Sequence, residues 1–288
     1  MGRRSTERAK AGDGLTKSLF NTLLHYFQEK TWRLAASVTF YVLFAVVPLI
    51  LFATALAGLP FDREEARTAI LRQLDDIVGE QGNAAIKEMM QNYQKPTQSP
   101  VSAILGLMAL MFGSINALGQ LRDAMNSIWK VKKEQIQDKA TPVKFLLYFA
   151  VTGCVILLLL LSVAFSSALR LVSSNMEGQI TTQIQIYKVL NLAGFGAILL
   201  LLCLLLYRLL PDLRLKWSSL FFGALLAAAL FSFGKEAFVL YVTRTGIGSA
   251  YGALSSIMIF LIWMYLSIQV VLLGSAFAYA CEYRKDGA

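Results

Sequence analysis

Histidine occurs once, cysteine three times and proline six times among the 288 residues, and only 16% of the side chains are charged. The single histidine, His25, has no histidine or acid cluster beside it that would build a metal centre. A nucleophile elbow is absent as well. Gly234-Lys235 lacks the rest of a phosphate loop, because Ala229 and Glu236 stand where glycine and a hydroxyl residue are required. The expectation is therefore a protein that is not an enzyme and that uses no metal and no cofactor. Cys154, Cys203 and Cys281 fall within or at the end of apolar runs, with no Cys-x-x-Cys spacing. They read as reduced packing residues rather than a disulfide framework.

What the chain does have is apolar length. Hydrophobic residues make up 56% of it and gather into six runs, Val38–Gly58, Val101–Leu118, Val143–Ala168, Tyr187–Leu210, Trp217–Val242 and Tyr251–Ala280. At ~1.5 Å of rise per residue each run can cross a hydrocarbon core of about 30 Å as a helix. Strand-like alternation is missing, which excludes a transmembrane barrel. The expected fold is all-α: a polytopic membrane protein of six transmembrane helices, with an N-terminal interfacial helix and a small helical extracytoplasmic cap. The first run follows a polar stretch and exceeds the apolar core of a signal peptide, so it is expected to remain as a span.

Lysine and arginine set the orientation. Eighteen of the 27 basic residues lie before the first run or in the loops on the same side, against eight on the other side and Lys235 within a run. The positive-inside rule places the multi-pass chain in a bacterial cytoplasmic (inner) membrane with both termini cytoplasmic. The net charge of +9 then faces anionic headgroups, so membrane lipids rather than nucleic acid are the expected partners.

Along the chain, residues 1–37 read as a cytoplasmic arm leading into an amphipathic interfacial helix, whose stripe is Leu15, Leu19, Leu23 and Phe27. Trp32 suits an interfacial aromatic belt. Residues 38–280 form the transmembrane domain, with 59–100 as the extracytoplasmic helical loop, and 281–288 are a cytoplasmic tail. In the loop, Ala66, Ile70, Leu74, Ile77 and Val78 share a helical stripe. Its acids, including Asp62, Glu64 and Asp75, read first as a solvated face. Small residues four apart (Gly113 with Ala117, Gly223 with Ala227, Gly252 with Ser256, Gly274 with Ala278) permit close helix contact, within one chain or between two. Pro48 favours a bend in the first span.

Lys235 and Glu236 are the ionisable pair inside a run, each costing roughly 3 kcal/mol at such a depth unless it reaches water or a partner. Two readings are open. In one, Lys235 reaches the outer headgroups and Glu236 pairs with a neighbouring helix. In the other, Lys235 lines a polar cleft and binds an anionic headgroup, with Asn116, Asn191 and Gln269 extending the cleft from other spans.

Three stretches carry a family resemblance: Phe40-Tyr41 with Phe44 and Pro48; Arg122-Asp123-Ala124-Met125-Asn126 with Ile128-Trp129; and Lys235, Phe238, Tyr241, Tyr251-Gly252-Ala253-Leu254, Trp263-Met264-Tyr265-Leu266 and Leu273-Gly274. Together they resemble the YihY/BrkB membrane proteins, a family formerly labelled ribonuclease BN. In one respect the chain departs from it: Ala276 stands where many members have an acid. The resemblance implies a six-helix inner-membrane protein and marks Lys235, Tyr251, Gly252, Trp263, Tyr265 and the Arg122–Asp123 pair as positions to test, with Tyr241 joining Tyr251, Tyr265, Arg122 and Asp123 among the candidate binding residues. It also implies that envelope lipids are moved. The expected function is transport or handling of such lipids or of another anionic amphiphile. The alternative is a membrane scaffold whose partners are envelope-assembly proteins or further copies of the chain.

Overall fold

The computed structural model describes residues 31–57, 67–73, 84, 86–87, 100–131, 141–174, 180–245 and 255–283. Six long helices hold most of them: α1 (Thr31–Ala57), α2 (Pro100–Ile128), α3 (Thr141–Ser174), α4 (Ile180–Leu209), α5 (Trp217–Thr245) and α6 (Ser255–Tyr283). Among the described residues there is no strand. The all-α expectation holds because each apolar run is long, with Pro48 bending rather than ending the first, and a backbone leaving water must satisfy its own hydrogen bonds.

Among the described residues three stretches are long and apolar enough to cross a membrane, Phe145–Leu169 in α3, Trp217–Thr245 in α5 and Ile257–Glu282 in α6. A fourth is bent by 41° between Thr31–Val46 and Pro48–Thr54, where the proline ring displaces a backbone donor. Ala193–Leu209 of α4 is a shorter apolar helix. Large apolar side chains remain exposed on all six helices, Phe40, Phe112, Leu146, Leu201, Phe233 and Leu266 among them. A belt of that extent needs lipid around it.

Two sequence boundaries shift. Residues 31–37, expected in the interfacial segment, already belong to α1, and Ala35 is buried in the core. The interfacial stripe itself lies outside the described residues. In the expected extracytoplasmic cap, Ile70, Gln73 and Ile86 are buried against the long helices rather than displayed to solvent. Ile70 carries the apolar stripe, and its burial in the core that also holds Phe260 and Trp263 explains why the segment turns inward.

The helices pack as two close pairs, α1 on α2 and α5 on α6, with α3 and α4 completing the bundle and α6 touching α1 and α2. Missing side chains make these seams. A Cβ on Gly113 would lie 2.8 Å from the Ala45 backbone nitrogen. On Gly223 it would meet the Gly274 carbonyl at 2.6 Å, and on Gly274 the Gly223 carbonyl at 2.8 Å. Gly113 and the pairs 223/227 and 274/278 therefore serve contacts within this chain, while Gly252 lies outside the described residues.

Helix ends are tied at one pole of the bundle. α2 stops in a Schellman arrangement, with Val131 N–H donating to Asn126 C=O at 3.0 Å and Lys130 N–H to Ser127 C=O at 3.1 Å. Lys130 takes the left-handed φ of 51° that this stop requires. At the start of α5, Glu282 of α6 accepts from the Lys216 backbone N–H at 3.1 Å and from Ser219 Oγ at 2.7 Å. A carboxylate at a helix N-terminus meets the positive end of the dipole. Arg208 stacks over the Trp217 ring at 5.0 Å, at the same pole.

Candidate functional site

Two hydrophobic cores divide the interior. One lies toward the tied pole and contains Ala35, Met125, Trp129, Tyr207, Leu220 and Leu272; the other contains Ile50, Ile70, Phe231, Phe260 and Trp263. Between them is a chamber of ≈ 390 Å³ lined from all six helices, by Val38, Ala117, Leu158, Cys203, Phe231 and Trp263 among others. Interiors are normally packed without voids much larger than a water molecule. This one persists because the facing positions on α2 and α5 are small, Ala117 and Ala227. Its wall is almost wholly apolar.

The polar exceptions lie at the margins. Gln73 donates through Nε2 to Ser162 Oγ at 2.7 Å and accepts from Ser166 Oγ at 3.1 Å. This buried chain fastens the 67–73 segment to α3, and Gln73, Ile86 and Ser162 all line the chamber. Ser267 lines it too, but its hydroxyl donates back to Trp263 C=O of its own helix at 2.8 Å. One group in the wall has no partner: Trp263 Nε1 is buried and makes no hydrogen bond. The Trp263 ring is held edge to face against Phe231 at 5.2 Å and tilted against Phe238 at 5.1 Å.

At the tied pole stands an ionic node. Arg122 reaches both carboxylate oxygens of Asp212 at 2.6 Å. Asn126 Nδ2 donates to Asp212 Oδ2 at 2.7 Å, and the Asp212 backbone N–H returns a bond to Asn126 Oδ1 at 3.0 Å. Burial works against the charged guanidinium, but hydrogen bonds to Asp212 and Tyr148 and the charge of Asp212 overcome it and hold Arg122 above its ordinary pKa. Nearby, Trp129 Nε1 donates to Ser275 C=O at 3.0 Å and Tyr207 Oη to Val271 C=O at 2.6 Å. These bonds join α2, α4 and α6.

Against this geometry the sequence candidates separate. The chamber is apolar, and Lys235, Glu236, Asn116, Arg122, Asp123, Tyr241 and Tyr265 are not among its described lining residues. Asn116 donates to Phe112 C=O at 2.7 Å and Tyr265 accepts from Gln269 at 2.7 Å, each within its own helix, so neither bridges helices by these bonds. Arg122 pairs with Asp212 and not with its neighbour Asp123, whose side chain is on the exposed side of α2. Glu236 is exposed, not paired into a neighbouring helix. Tyr241 is also exposed, and Tyr251 lies outside the described residues. Lys235 is half-buried on the side of α5 that carries Phe231, Phe238 and Val242, one turn beyond the chamber wall.

Asp212, Gln73 and Ser162 were not foreseen. Asp212 could have been: it is the one acid between Gly178 and Lys235, and it follows a proline in a short connection. Nothing local marks Gln73 or Ser162.

A family model described as virulence factor BrkB matches residues 22–288. A UPF0761 membrane protein of Legionella pneumophila is 30% identical over 261 residues, covering 89% of this chain and 60% of the relative. Another from Alkalilimnicola ehrlichii is 30% identical, covering 85% of this chain and 54% of the relative. One from Tolumonas auensis is 29% identical, covering 88% and 82%. The chain thus spans only about three fifths of the length of the Legionella protein. No solved structure matches it. With that match over most of its length and its exposed apolar belt, the chain belongs to the BrkB family and is an integral membrane protein.

Proposed function

We propose that this chain transports or handles an envelope lipid, or another amphiphile, by taking its apolar part into the central chamber. The observation that carries the reading is the chamber itself. Its ≈ 390 Å³ falls in the range of about 300–1,000 Å³ typical of small-ligand sites. A packed core leaves no such space unfilled, and apolar walls without contacts forgo the attraction that close packing supplies, at a cost in free energy. An apolar occupant removes that cost, and a bilayer supplies one.

In this reading all six helices cross the cytoplasmic membrane, with the tied pole and its cluster of Arg122, Arg208, Arg214 and Lys216 on the cytoplasmic side, as the positive-inside rule favours. Lys235 then lies outward of the chamber on its facing side of α5, where its ammonium receives a headgroup phosphate while the acyl chain enters below. Glu236 and Tyr241 face away and have no role in binding. Arg122 is engaged by Asp212 and acts in folding. The process needs no bond-making step, cofactor or nucleic acid. The inward burial of Ile70, Gln73 and Ile86 weighs against a scaffold that would offer this loop to partners.

The test is translocation of fluorescent phosphatidylglycerol in liposomes holding wild-type protein, Ala117→Phe or Lys235→Ala. Ala117→Phe, which fills the chamber, should stop movement with the fold intact. Lys235→Ala should slow anionic lipid at least tenfold and leave a zwitterionic lipid less affected. Unchanged movement in Ala117→Phe would remove the chamber from the mechanism.

A further inference from the structure

The dimensions of the chamber describe its occupant more narrowly than its apolar wall does. On α4 the lining runs from Phe195 to Leu206 and on α6 from Phe260 to Val271, a length of ~16 Å at about 1.5 Å of rise per residue. Both ends are bounded. Toward the tied pole the lining stops at Leu121, Leu206 and Val271, beyond which Met125, Tyr207 and Leu272 are buried in one core. At the other end stand Ile86 and Gln73, the latter bonded to Ser162 at 2.7 Å.

An engineered apolar cavity of about 150 Å³ takes one benzene, so a hydrocarbon carbon needs about 25 Å³. By that measure ≈ 390 Å³ holds roughly sixteen carbons. Carbon–carbon single bonds of about 1.5 Å advance an extended chain by ~1.25 Å per carbon, so a length of ~16 Å holds roughly thirteen. Volume and length return nearly the same number, as they do when a space is one chain wide. Its mean cross-section is roughly 24 Å², against roughly 20 Å² for one extended chain on these values and twice that for two. A methyl-branched polyprenyl chain is wider and much longer. No charged residue is among the described lining, so the headgroup stays outside.

We propose that the chamber is a one-chain site with a length limit, lodging a single unbranched acyl chain of about thirteen to sixteen carbons while the rest of the amphiphile remains outside. The proposal rests on the chamber being a ligand site. A chain below the limit leaves part of the wall without contacts, and a longer one has to kink or withdraw. The chain can come from a lysolipid or from one arm of a two-chain lipid.

The experiment offers the purified full chain, in detergent, an equimolar mixture of lysophosphatidylglycerols with saturated chains of about ten to about twenty carbons, and in a second arm the two-chain phosphatidylglycerols of the same lengths. Native mass spectrometry reads the lengths retained against those supplied. Chains within the limit should be retained at least about threefold over those about four carbons shorter or longer. Ala117→Leu adds about three carbons to the wall and should move the optimum about as far toward shorter chains; Leu202→Ala removes about three and should move it the other way. General damage to the fold does not produce opposite shifts. Retention in both arms assigns the site to one chain of either lipid, and retention in the first arm alone assigns it to lysolipids. A flat length profile, in lipid that Ala117→Phe displaces, overturns the limit and leaves the chamber as a ligand site. Lipid that Ala117→Phe does not displace, or no retained lipid in protein folded by circular dichroism, overturns the chamber and this proposal together.

Discussion

Arg122 shows how a single residue can be conspicuous in sequence and still be misread. Its charge beside a long apolar run was visible, and the adjacent Asp123 was the obvious partner. The actual partner, Asp212, is 90 positions away, and no periodicity connects residues that meet only when helices assemble. Both side chains of the ion pair are nearly inaccessible, at 9% and 4% exposed, so removing one strands the other. Asp212→Ala should therefore destabilise the protein by about 3–5 kcal/mol, measured by chemical unfolding in detergent. Asp123→Ala, at an exposed position, should cost under about 1 kcal/mol. Comparable losses in the two variants would contradict the assignment. Lys235 was legible for a different reason: charge inside an apolar run is costly wherever the helix sits, so it declares itself without a partner.

Helices were the easiest elements to read, since twenty apolar residues in succession have few other ways to satisfy a backbone in lipid. Their ends were harder, as α1 shows by already holding residues 31–37, which the sequence assigns to the interfacial segment. The seam between α5 and α6 was half legible. Spacing revealed that Gly223 and Gly274 permit close approach, but only coordinates show that they face each other. Gly274→Ala should cost roughly 1–3 kcal/mol, because the Gly223 carbonyl at 2.8 Å is backbone and cannot step aside. Gly153→Ala on α3, with nothing within 4 Å, should instead stabilise by about 0.5–1 kcal/mol. Lys130→Gly should likewise stabilise, by about 1 kcal/mol, since its φ of 51° suits glycine. Thermal unfolding of the three variants in one detergent gives the comparison directly.

The molecule as a whole contains the feature that sequence was least able to announce. A chamber is made by volume that side chains fail to fill, and Ala117 looks the same in a seam as in a wall. Ala117→Phe separates the two roles. If the space is a ligand site, the variant should keep or raise its melting temperature as the void is filled, and lose co-purifying lipid. A fall in melting temperature with lipid still bound would mark the position as tightly packed. The ionic node also fixes an order of events during synthesis. Arg122 emerges 90 residues before Asp212, which at about 5–20 residues per second is a wait of roughly 5–18 s. In the proposed six-span arrangement α2 would stand in the membrane during that interval with an uncompensated guanidinium at its basic end, where anionic headgroups are the available counter-charge. Membranes poor in anionic lipid should therefore slow the maturation of the newborn chain, while the finished protein, its arginine already clamped, would be indifferent to the same change.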